Sequence, residues 1–573
     1  MASVSIVKQR LTIKCDTQEQ MASLLGIIGT MKVDEGDPTL GRCRASVQNL
    51  QRIKRVVRGV KLSNDAPTKF AIQNMMAERD EIACSSRELL AAVKNEFPVV
   101  PYKFKVKPYK HQIFAFNAMH AGKNIAIFGD CGVGKTAIAA WFIESLYKLK
   151  ELCARDNVLV ICPINIITHA WMEDVEKFTG LKVVSLYEPS SYKRKEKIAA
   201  RFKQKADIYI TSFSQLRLRE KELRNKKFKL IVVDESSKIK NARSRVFRSL
   251  LQVSWKAEWK FIMSGTPAPN GAIDLWSQFF FLDGGLTLEP SIVDFRNAHY
   301  MSWQMGGRIP IWSPKTGSAA RVGKIIASRS ITMRAKDCLD LPKRSRIARR
   351  VEQTAEERRI YEEMAQNLVV ELDTGEMSTA RIALSKIMKL REITGGFIMD
   401  DDGQPHQIGE SSKMQALDGL VESIMESGEH KALIWIQYRW EADTALKMLK
   451  KKYGAAVFYG GLSQKVKDNS IKAFRTDPKA RILICHPASI AHGITLNEAQ
   501  YTIYYSLSHD YEHYYQSSRR NYRAGQDKPV FEYHLVTPAT IDESLLICLQ
   551  GKHNFEEEMT SRAINVRDLL GIR

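Results

Sequence analysis

The feature that most constrains this chain is the segment GDCGVGKT, Gly129–Thr136, which fits the pattern G-x-x-x-x-G-K-[ST]. It follows the apolar run Asn124–Phe128 and precedes a strongly helical pattern. In this context the pattern predicts a phosphate-binding loop, because glycines let backbone N–H groups close around phosphate oxygens at a helix N-terminus. A loop of this kind also predicts a parallel α/β sheet around it.

The residues of this loop are candidate contacts for ATP. We expect the Lys135 ammonium to reach the β- and γ-phosphates and the Thr136 hydroxyl to hold Mg²⁺. The other candidate loop contacts are Gly129, Asp130, Cys131, Gly132, Val133 and Gly134. Upstream, Gln112 can both donate and accept hydrogen bonds, so it is a candidate for binding the adenine edge. The alternatives are a chance Gly-rich turn for the loop and a surface position for Gln112.

A second motif, LIVVDESSKIKN, ends an apolar run in two adjacent carboxylates, Asp234 and Glu235. We expect Asp234 to hold Mg²⁺, directly or through water. Glu235 is the candidate general base that accepts a proton from the attacking water. Solvated acids at a strand end are the alternative interpretation, which the preceding phosphate-loop pattern disfavours.

The alternation of apolar runs and amphipathic helices predicts two α/β lobes with parallel strands covered on both faces. The pattern spans Pro101 to about Leu341 and returns at Lys413. We therefore predict a small N-terminal α+β accessory domain at 1–100 and a first lobe at 101–342. A helical connector at 343–412 should end in the polar linker DDGQPHQIGESS, and a second lobe with a C-terminal tail should occupy 413–573.

The net charge indicates the kind of partner. The chain has 87 Lys and Arg against 64 Asp and Glu, a formal net charge of +23, which favours binding to a polyanion over an inert basic surface. No secretory signal or stretch of ~18 apolar residues is visible. The nine cysteines are scattered without CxxC spacing, so neither a disulfide framework nor a zinc ribbon is expected. These features predict a cytoplasmic protein that binds nucleic acid and no membrane.

The N-terminal region contributes a separate basic segment. Residues 42–61 contain seven basic side chains and no acidic one, and a helix is predicted over 49–57. The candidate contacts to DNA phosphates there are Arg52, Lys54, Arg55 and Arg58. A solvated helix face is the alternative. A longer helical pattern follows at 69–95.

Five segments occur in a defined order: GDCGVGKT, VVDESSKIKN, MSGTPAPNGAIDLWSQFFFLDGG, HPASIAHGITL and QSSRRNYRAGQ. With them the chain resembles the Swi/Snf-type branch of helicase superfamily two, and in particular its compact bacterial and bacteriophage members. The resemblance covers about 101–544. It implies two tandem RecA-like lobes and a DNA-dependent ATPase that uses ATP and Mg²⁺. It also implies a monomeric motor in the cytoplasm of a bacterial or phage-infected cell.

The resemblance further implies site residues outside the first two motifs. Implied DNA contacts are Pro163, Thr168, Trp171, Thr211 and Ser212 on the first lobe and Gln437 and His492 on the second. Gly493 and Gln516 are implied ATP contacts, and Arg520 and Arg523 are implied arginine fingers. Arg520 and Arg523 are three residues apart, so on a helix both side chains would face one direction. The chain departs from the family pattern at Ser237, Arg519 and Tyr522.

Together these features predict ATP-dependent translocation along duplex or branched DNA, with remodelling of DNA structures or of DNA-bound proteins. A branch-migrating or strand-annealing helicase in recombination, replication or repair is an open alternative. A DNA-binding scaffold with an inactive ATPase is a third, which the intact Lys135, Asp234 and Glu235 disfavour. No segment predicts a protein partner.

Overall fold

The structure is a computed structural model. It describes residues 2–7, 10–27, 31–34, 37–44, 60–62, 89, 91–188, 194–303, 311–374, 380–490, 494–560 and 564–565. The chain divides into two compact units, Met1–Cys338 with Phe555–Arg573, and Leu339–Asn554. Several predicted features lie outside the described residues, namely the helix at 49–57, almost all of the helix at 69–95, and the candidates Arg52, Lys54, Arg55, Arg58, His492 and Gly493.

The N-terminal region is a small α+β structure, as predicted. Its strands are β1 (Ala2–Val7), β2 (Arg10–Cys15), β3 (Lys32–Val33), β4 (Leu40–Arg44) and β5 (Val60–Leu62), with a helix at Gln18–Ile27. The sheet order is β3-β4-β2-β1-β5, and only the β1–β5 pair is parallel. Alternate residues of β2 share one face. Ile13 and Cys15 on that strand are buried, as are Met21 and Leu24 of the helix.

The first unit continues as a parallel sheet. Its strands are β6 (Asn124–Gly129), β7 (Asn157–Cys162), β8 (Val183–Ser185), β9 (Ile208–Ser212), β10 (Phe228–Asp234) and β11 (Trp259–Ser264). A separate hairpin pairs β12 (Tyr300–Trp303) with β13 (Ile311–Pro314), and β14 (Ser330–Met333) returns to the main sheet. The order is β14-β6-β11-β10-β7-β9-β8, with Ile564–Asn565 beside β14. Every described pair of this main sheet is parallel, and parallel sheets are usually covered on both faces, which explains why the last five residues of β10 are all buried.

Helices connect these strands, and serine side chains cap several of them. The helices are Lys110–Ala121, Lys135–Lys148, Glu173–Phe178, Arg194–Lys203, Phe213–Leu218, Glu220–Lys226, Arg245–Val253, Ile273–Asp283, Ile292–His299, Ser318–Ile326 and Ala335–Cys338. The Ser244 hydroxyl, for example, accepts a hydrogen bond from the Phe247 N–H at 3.1 Å. Such a bond satisfies one of the free N–H groups of a first helical turn.

The second unit holds another parallel sheet. Its strands are β15 (Arg344–Arg350), β16 (Phe397–Met399), β17 (Pro405–Gln407), β18 (Ala432–Trp435), β19 (Ala456–Phe458), β20 (Ile482–Cys485), β21 (Tyr501–Tyr504) and β22 (Val530–Val536). Six of them form the order β15-β22-β21-β18-β20-β19, and each pair is parallel. Two parallel sheets with connecting helices confirm the predicted α/β class with two RecA-like lobes.

The helices of this unit begin with the long pair Ala355–Thr374 and Ala380–Thr394. The others are Ser412–Glu426, Arg439–Tyr453, Gln464–Thr476 and Tyr511–Ser518, and Ile541–Thr560 begins here. In the described part of the chain, no helix has both the length and the apolar character that crossing a bilayer requires.

The segment 343–412 differs from its prediction. The basic stretch at its start forms β15, which pairs with β22 along its whole length. The polar stretch 401–412 was predicted as a linker, and this was wrong, because β17 pairs with β16 and Ser411 caps the next helix. Gly403, at φ +76°, makes the hairpin turn. All three residues of β17 are exposed, so no apolar alternation marked the strand in the sequence.

Candidate nucleotide-binding site

The candidate residues of the first lobe gather at one edge of its sheet. The strands are parallel, so their carboxyl ends share an edge, where α/β proteins place their ligand sites. β6 ends at Gly129 and β10 at Asp234, and only β11 separates these strands. β7 and β9 end at Cys162 and Ser212, where the predicted DNA contacts of the first lobe lie.

The phosphate-loop segment adopts the geometry that its glycines allow. Gly132 and Gly134 have φ values of +91° and +85°, in the left-handed region that favours glycine. Gly134 is the N-cap of the helix that starts at Lys135. The Lys135 ammonium folds back and donates to the carbonyl oxygens of Gly129 at 2.7 Å and Asp130 at 3.2 Å. The loop is thus closed around a cation at a helix N-terminus.

Gln112 lies against this loop. Its side-chain Nε2 donates to the Val133 carbonyl oxygen at 3.2 Å, and its Oε1 accepts from the Tyr109 N–H at 3.0 Å. A Cβ added at Gly134 would come within 2.2 Å of the Gln112 Nε2, so glycine is needed there for space as well as for φ. The structure therefore brings Gln112 and the loop together.

His111 is a loop contact that sequence reasoning missed. Its Nε2 lies 3.0 Å from the same Val133 carbonyl oxygen. Burial lowers the pKa of His111, so the ring is neutral at neutral pH and donates this bond through Nε2. Its position beside Gln112 is the only signal that the sequence offered.

Asp234 is a buried carboxylate held by two N–H donors. Its Oδ1 accepts from the Glu235 N–H and its Oδ2 accepts from the Trp171 indole Nε1, both at 3.0 Å. Burial raises the pKa of Asp234, although the Lys135 charge and the two hydrogen bonds act in the opposite direction. The site thus holds an acid whose negative charge the surrounding protein does not fully compensate.

Glu235 has an unusual backbone. Its φ of +56° lies in the left-handed region, which is uncommon for a residue with a side chain. Such strain persists where the surrounding structure imposes it, and it is frequent at functional sites. The residue is buried at the end of β10 and precedes the turn Ser236–Ile239.

These residues fit a magnesium nucleotide. Glycine N–H groups and an ammonium suit phosphate oxygens, and a hydroxyl and a carboxylate are ligands that Mg²⁺ prefers. Thr136 lies in the first turn of the helix that begins at Lys135, and Asp234 ends β10. The undercompensated charge of Asp234 is the observation that favours a cation here.

Trp171 does not meet its predicted role. It lies in the π-helix Ile167–Met172 and is fully buried, with its indole N–H on Asp234. A buried ring offers no surface to DNA, so the prediction of a direct DNA contact was wrong for this residue. Thr168 in the same segment is exposed and Pro163 is half-buried, so their DNA contacts remain predictions.

Thr211 and Ser212 are also buried, at 1% exposure each, which contradicts their prediction as DNA contacts. The Ser212 hydroxyl accepts from the Gln215 N–H at 3.3 Å and caps the helix Phe213–Leu218. A serine directly before a helical pattern is a frequent N-cap signal, and this local role accounts for it.

Gln278 is a second residue that sequence reasoning missed. Its Oε1 accepts from the Ser236 hydroxyl at 2.6 Å, and its Nε2 donates to the Pro267 carbonyl oxygen at 2.7 Å. This fully buried amide therefore ties the turn after Glu235 to the MSGTP segment. An uncharged polar residue inside the apolar helix Ile273–Asp283 was the available signal.

In the second lobe the structure contradicts the prediction that Arg520 and Arg523 lie on one turn of a helix. The helix Tyr511–Ser518 ends before either arginine, so helical spacing does not relate them. Arg520 is 2% exposed, and its Nη1 donates to the Ile494 carbonyl oxygen at 3.2 Å. Arg523 is half-exposed. Arg520 is therefore buried, and Arg523 is the more accessible of the two.

The remaining second-lobe candidates lie near the carboxyl ends of the strands or on the following helix. Gln437 follows β18, and its backbone N–H donates to the Ser506 hydroxyl and to the Glu441 carboxylate, both at 2.9 Å. Gln516 is buried, with its Nε2 3.4 Å from the Glu512 Oε1. Gln437 is thus half-exposed at the carboxyl edge, whereas Gln516 is only 2% exposed, which contradicts its prediction as an ATP contact.

Comparisons with known proteins match most of the chain. The SNF2-related domain family matches residues 70–395, and the Helicase conserved C-terminal domain family matches residues 412–525. The first span contains Lys135, Asp234 and Glu235, and the second contains Arg520 and Arg523. The candidate catalytic residues of both lobes thus lie inside family matches.

Several curated proteins are similar over most of this chain. Putative protein p41 of Acyrthosiphon pisum secondary endosymbiont phage 1 is 26% identical, over 74% of this chain and 91% of its own length. Putative ATP-dependent helicase/translocase YwqA of Bacillus subtilis is 24% identical, over 82% of this chain and 51% of its own. DNA excision repair protein ERCC-6 of Homo sapiens is 24% identical, over 78% of this chain and 31% of its own. The chain spans about half of YwqA and less than a third of ERCC-6.

Two solved structures are also similar. The Sulfolobus solfataricus SWI2/SNF2 ATPase core in complex with dsDNA is 23% identical with a TM-score of 0.38, and it covers 81% of this chain and 95% of its own. The Sulfolobus solfataricus SWI2/SNF2 ATPase core domain is 24% identical with a TM-score of 0.36, and it covers 79% of this chain and 90% of its own.

Proposed function

The chain belongs to the SNF2-related domain family, and on that premise we propose that its ATP hydrolysis drives translocation along duplex or branched DNA. Its family match spans residues 70–395, so the chain is an ATP-hydrolysing enzyme of helicase superfamily two and an ATP-dependent motor. The proposal adds the track, which is DNA, and a monomeric motor in the cytoplasm that displaces structures or proteins in its path.

The observation that carries this proposal is the hydrogen bond between Trp171 and Asp234, at 3.0 Å. The π-helix Ile167–Met172 that holds Trp171 also carries the exposed Thr168. A phosphate contact at Thr168 would shift this short turn, and with it the indole that orients the Asp234 carboxylate. One segment is therefore suited to bind the track and to adjust the hydrolysis site.

We propose distinct roles for the first-lobe residues. Lys135 and the loop N–H groups bind the phosphates, Gln112 binds the adenine edge, and Thr136 and Asp234 hold Mg²⁺. When bound, Mg²⁺ supplies positive charge that stabilises the developing charge on the phosphoryl oxygens. Glu235 orients the attacking water and accepts its proton.

For the second lobe, we propose Arg523 as the arginine finger that neutralises charge on the transferring phosphoryl group. Its accessibility supports this role, whereas Arg520 is held inside the lobe by the Ile494 carbonyl. Gly493 stays proposed as a nucleotide contact, whereas the buried Gln516 does not.

The proposed DNA contacts are made to the backbone. They are Pro163, Thr168, Gln437 and His492 in the two lobes and Arg52, Lys54, Arg55 and Arg58 in the N-terminal region. The formal charge of +23 supports phosphate binding. Phosphate contacts position a protein without reading bases, so the motor should act on many sequences.

The proposal is tested by ATPase activity in the presence of duplex DNA, single-stranded DNA, forked DNA or RNA. Duplex DNA should stimulate turnover most, and displacement of a triplex strand without separation of the duplex should accompany it. The Glu235→Gln variant is the matched control, because it keeps the loop and loses the general base. Stimulation by RNA alone, or no stimulation by any DNA, would contradict the proposal. Fork reversal without triplex displacement would instead identify a branch-migrating helicase.

A further inference from the structure

A groove rich in basic side chains lies at the edge of the second sheet opposite the carboxyl ends of its strands. The connections that lead into β18, β19 and β20 form it, and the amino ends of parallel strands share one edge. The groove has a volume of about 700 Å³. Its basic lining residues are Lys431, Lys450, Lys451, Lys452, Arg475, Lys479 and Arg481, and we call it the basic groove. Glu429 is its one acidic lining residue among those described.

Two cations are fixed in the wall of the basic groove by carbonyl oxygens. Lys431 donates to the carbonyls of Phe474 and Asp477, the latter at 2.9 Å. Arg481 donates to the carbonyls of His430 and Met425, each at 3.1 Å. Carbonyl partners orient these side chains and leave their charge in place. Burial lowers the pKa of Lys431, and the nearby carboxylates of Glu498 and Asp477 oppose this effect in part.

Three further lysines project around this wall. Lys450, Lys451 and Lys479 are exposed, and in the part of the chain that the structure describes none of them makes an ion pair. Gly454 brings the two connections together, since it ends the helix Arg439–Tyr453 at φ +63°, and a Cβ there would meet the Lys479 carbonyl oxygen at 2.1 Å. This close approach places the helix end and the residue-479 connection on one groove.

Carboxylates offset only part of this charge. Lys452 pairs with Asp418 at 3.4 Å, and Arg475 lies 4.0 Å from Glu498. Glu422 and Glu426 act on the Tyr453 side of the groove. Glu498 and Asp477 also act on Lys431. Among the described residues, the basic side chains that make no ion pair are therefore concentrated on the side formed by Lys450, Lys451, Lys479 and Arg481.

We propose that the basic groove binds the phosphodiester backbone of a second nucleic-acid segment. Lysine ammonium groups are point charges that contact phosphates without selecting bases. Among the described lining residues, Tyr453 and His430 are the only aromatic ones and none has a large aliphatic side chain, whereas protein partners and membranes use several apolar anchors. The groove lies at the opposite edge of the sheet from Gln437, a proposed DNA contact. A nucleic-acid segment bound in the groove is therefore separate from the DNA along which the protein is proposed to move. The protein can then hold one segment while it moves along another.

Neutralising the three lysines that make no ion pair tests this inference. The variant is Lys450→Gln, Lys451→Gln and Lys479→Gln in the full chain. The matched control is Lys203→Gln, Lys205→Gln and Lys221→Gln, which removes three exposed lysines of the first unit. Each protein is saturated with an unlabelled short duplex, and capture of a labelled second segment, either duplex DNA or duplex RNA, is measured against salt concentration.

The parent and the control should capture the second segment, and the groove variant should lose most of that capture. Its log–log salt slope for the second segment should fall by about 0.9 for each lost phosphate contact. Melting temperature and ATPase stimulated by the short duplex should stay at the parental values. The DNA and RNA arms identify the source of the backbone, and capture in either arm that depends on the three lysines supports the inference.

Three results would overturn it: unchanged capture by the groove variant, an equal loss in the control, or binding of poly-glutamate in preference to both nucleic acids. The outcome is separable from that of the proposed function. If duplex DNA fails to stimulate the parental ATPase while capture still depends on the three lysines, the track is wrong and the basic groove stands.

Discussion

Asp234 in the first lobe and Glu532 in the second are both buried carboxylates, and the protein surrounds them in opposite ways. In the first lobe, burial raises the pKa of Asp234. In the second, burial acts in the same direction on Glu532, but the charges of Arg344 and Arg346 outweigh it and its pKa lies below the ordinary value. Arg346 Nε lies 2.9 Å from Glu532 Oε2, and Arg344 bonds the other oxygen. The difference separates Asp234, which we propose as a cation ligand, from Glu532, whose ion pairs hold two strands together.

The pairing of Glu532 with Arg344 and Arg346 joins β22 to the edge strand β15, whose register aligns Arg346 with Glu532. Nothing comparable compensates Asp234, which has one ammonium nearby and two N–H donors. We therefore propose that Glu532 serves stability, whereas Asp234 serves hydrolysis. Substitutions in the two lobes can break this contrast.

The largest effect is expected at Lys135. Lys135→Ala should reduce hydrolysis by about 10²- to 10³-fold or more, because the cation placed for the phosphates is lost. DNA binding should remain, since this ammonium lies on the phosphate loop. Steady-state ATPase and DNA binding measure the two properties. The control is Lys148→Ala on the same helix, an exposed lysine paired with Glu144, which should behave as the parent. Parental turnover in Lys135→Ala would contradict the assignment.

The next effect distinguishes the two arginines of the second lobe. Arg523→Ala should lower kcat by about 10³-fold as an arginine finger, with little change in melting temperature. Arg520→Ala should instead lower stability by about 1–3 kcal/mol, because a buried hydrogen-bonding network loses its donor. DNA-stimulated turnover and thermal unfolding are measured for both. If Arg520→Ala keeps its stability and loses turnover, the structural role assigned to this residue is wrong.

These arginines show where prediction from sequence ended. The strands, their parallel arrangement and the phosphate loop were predictable, because each depends on local apolar runs and on a strand–loop–helix motif. The burial of Arg520 was not, since QSSRRNYRAGQ does not reveal that the helix ends at Ser518. The DNA contacts predicted at Trp171 and Thr211 failed for the same reason. A sequence motif shows which residues are present but not which of their side chains are buried.

The two buried acids themselves should respond oppositely. Glu532→Gln should destabilise the protein by about 3–5 kcal/mol, because it leaves two guanidinium groups without their carboxylate. Asp234→Asn should stop hydrolysis while changing stability by no more than about 1 kcal/mol, since relief of a buried charge offsets the poorer hydrogen bonds. Denaturant unfolding and ATPase check both variants. Equal destabilisation in the two would remove the contrast between the lobes.

Acid should act on the second lobe through Glu532. Its folded-state pKa is lowered from 4.5, so the unfolded chain binds more protons in the window below that value. The stability that Glu532 contributes is present above pH 4.5 and is lost as pH falls through the lower folded-state pKa. Thermal unfolding should therefore show a decline on acidification below 4.5, and Glu532→Gln should flatten it. A decline of unchanged slope in the variant would assign the acid sensitivity to other groups.

The smallest predicted effect tests how DNA binding to the first lobe is coupled to ATP hydrolysis. Trp171→Phe keeps a large ring in place and removes only the N–H that Asp234 accepts at 3.0 Å. Loss of one hydrogen bond to a charged group is worth about 1.5–3 kcal/mol at most, so DNA-stimulated turnover should fall by about tenfold. If the segment transmits DNA binding, the ratio of stimulated to basal turnover should fall as well. Trp141→Phe is the matched control, because Trp141 is equally buried and donates to the Phe178 carbonyl oxygen at 3.3 Å, away from the acids. The control should lose some stability and keep the ratio. An equal fall in basal and stimulated turnover in Trp171→Phe would show that the indole only supports Asp234, and DNA would have to reach the hydrolysis site by another route.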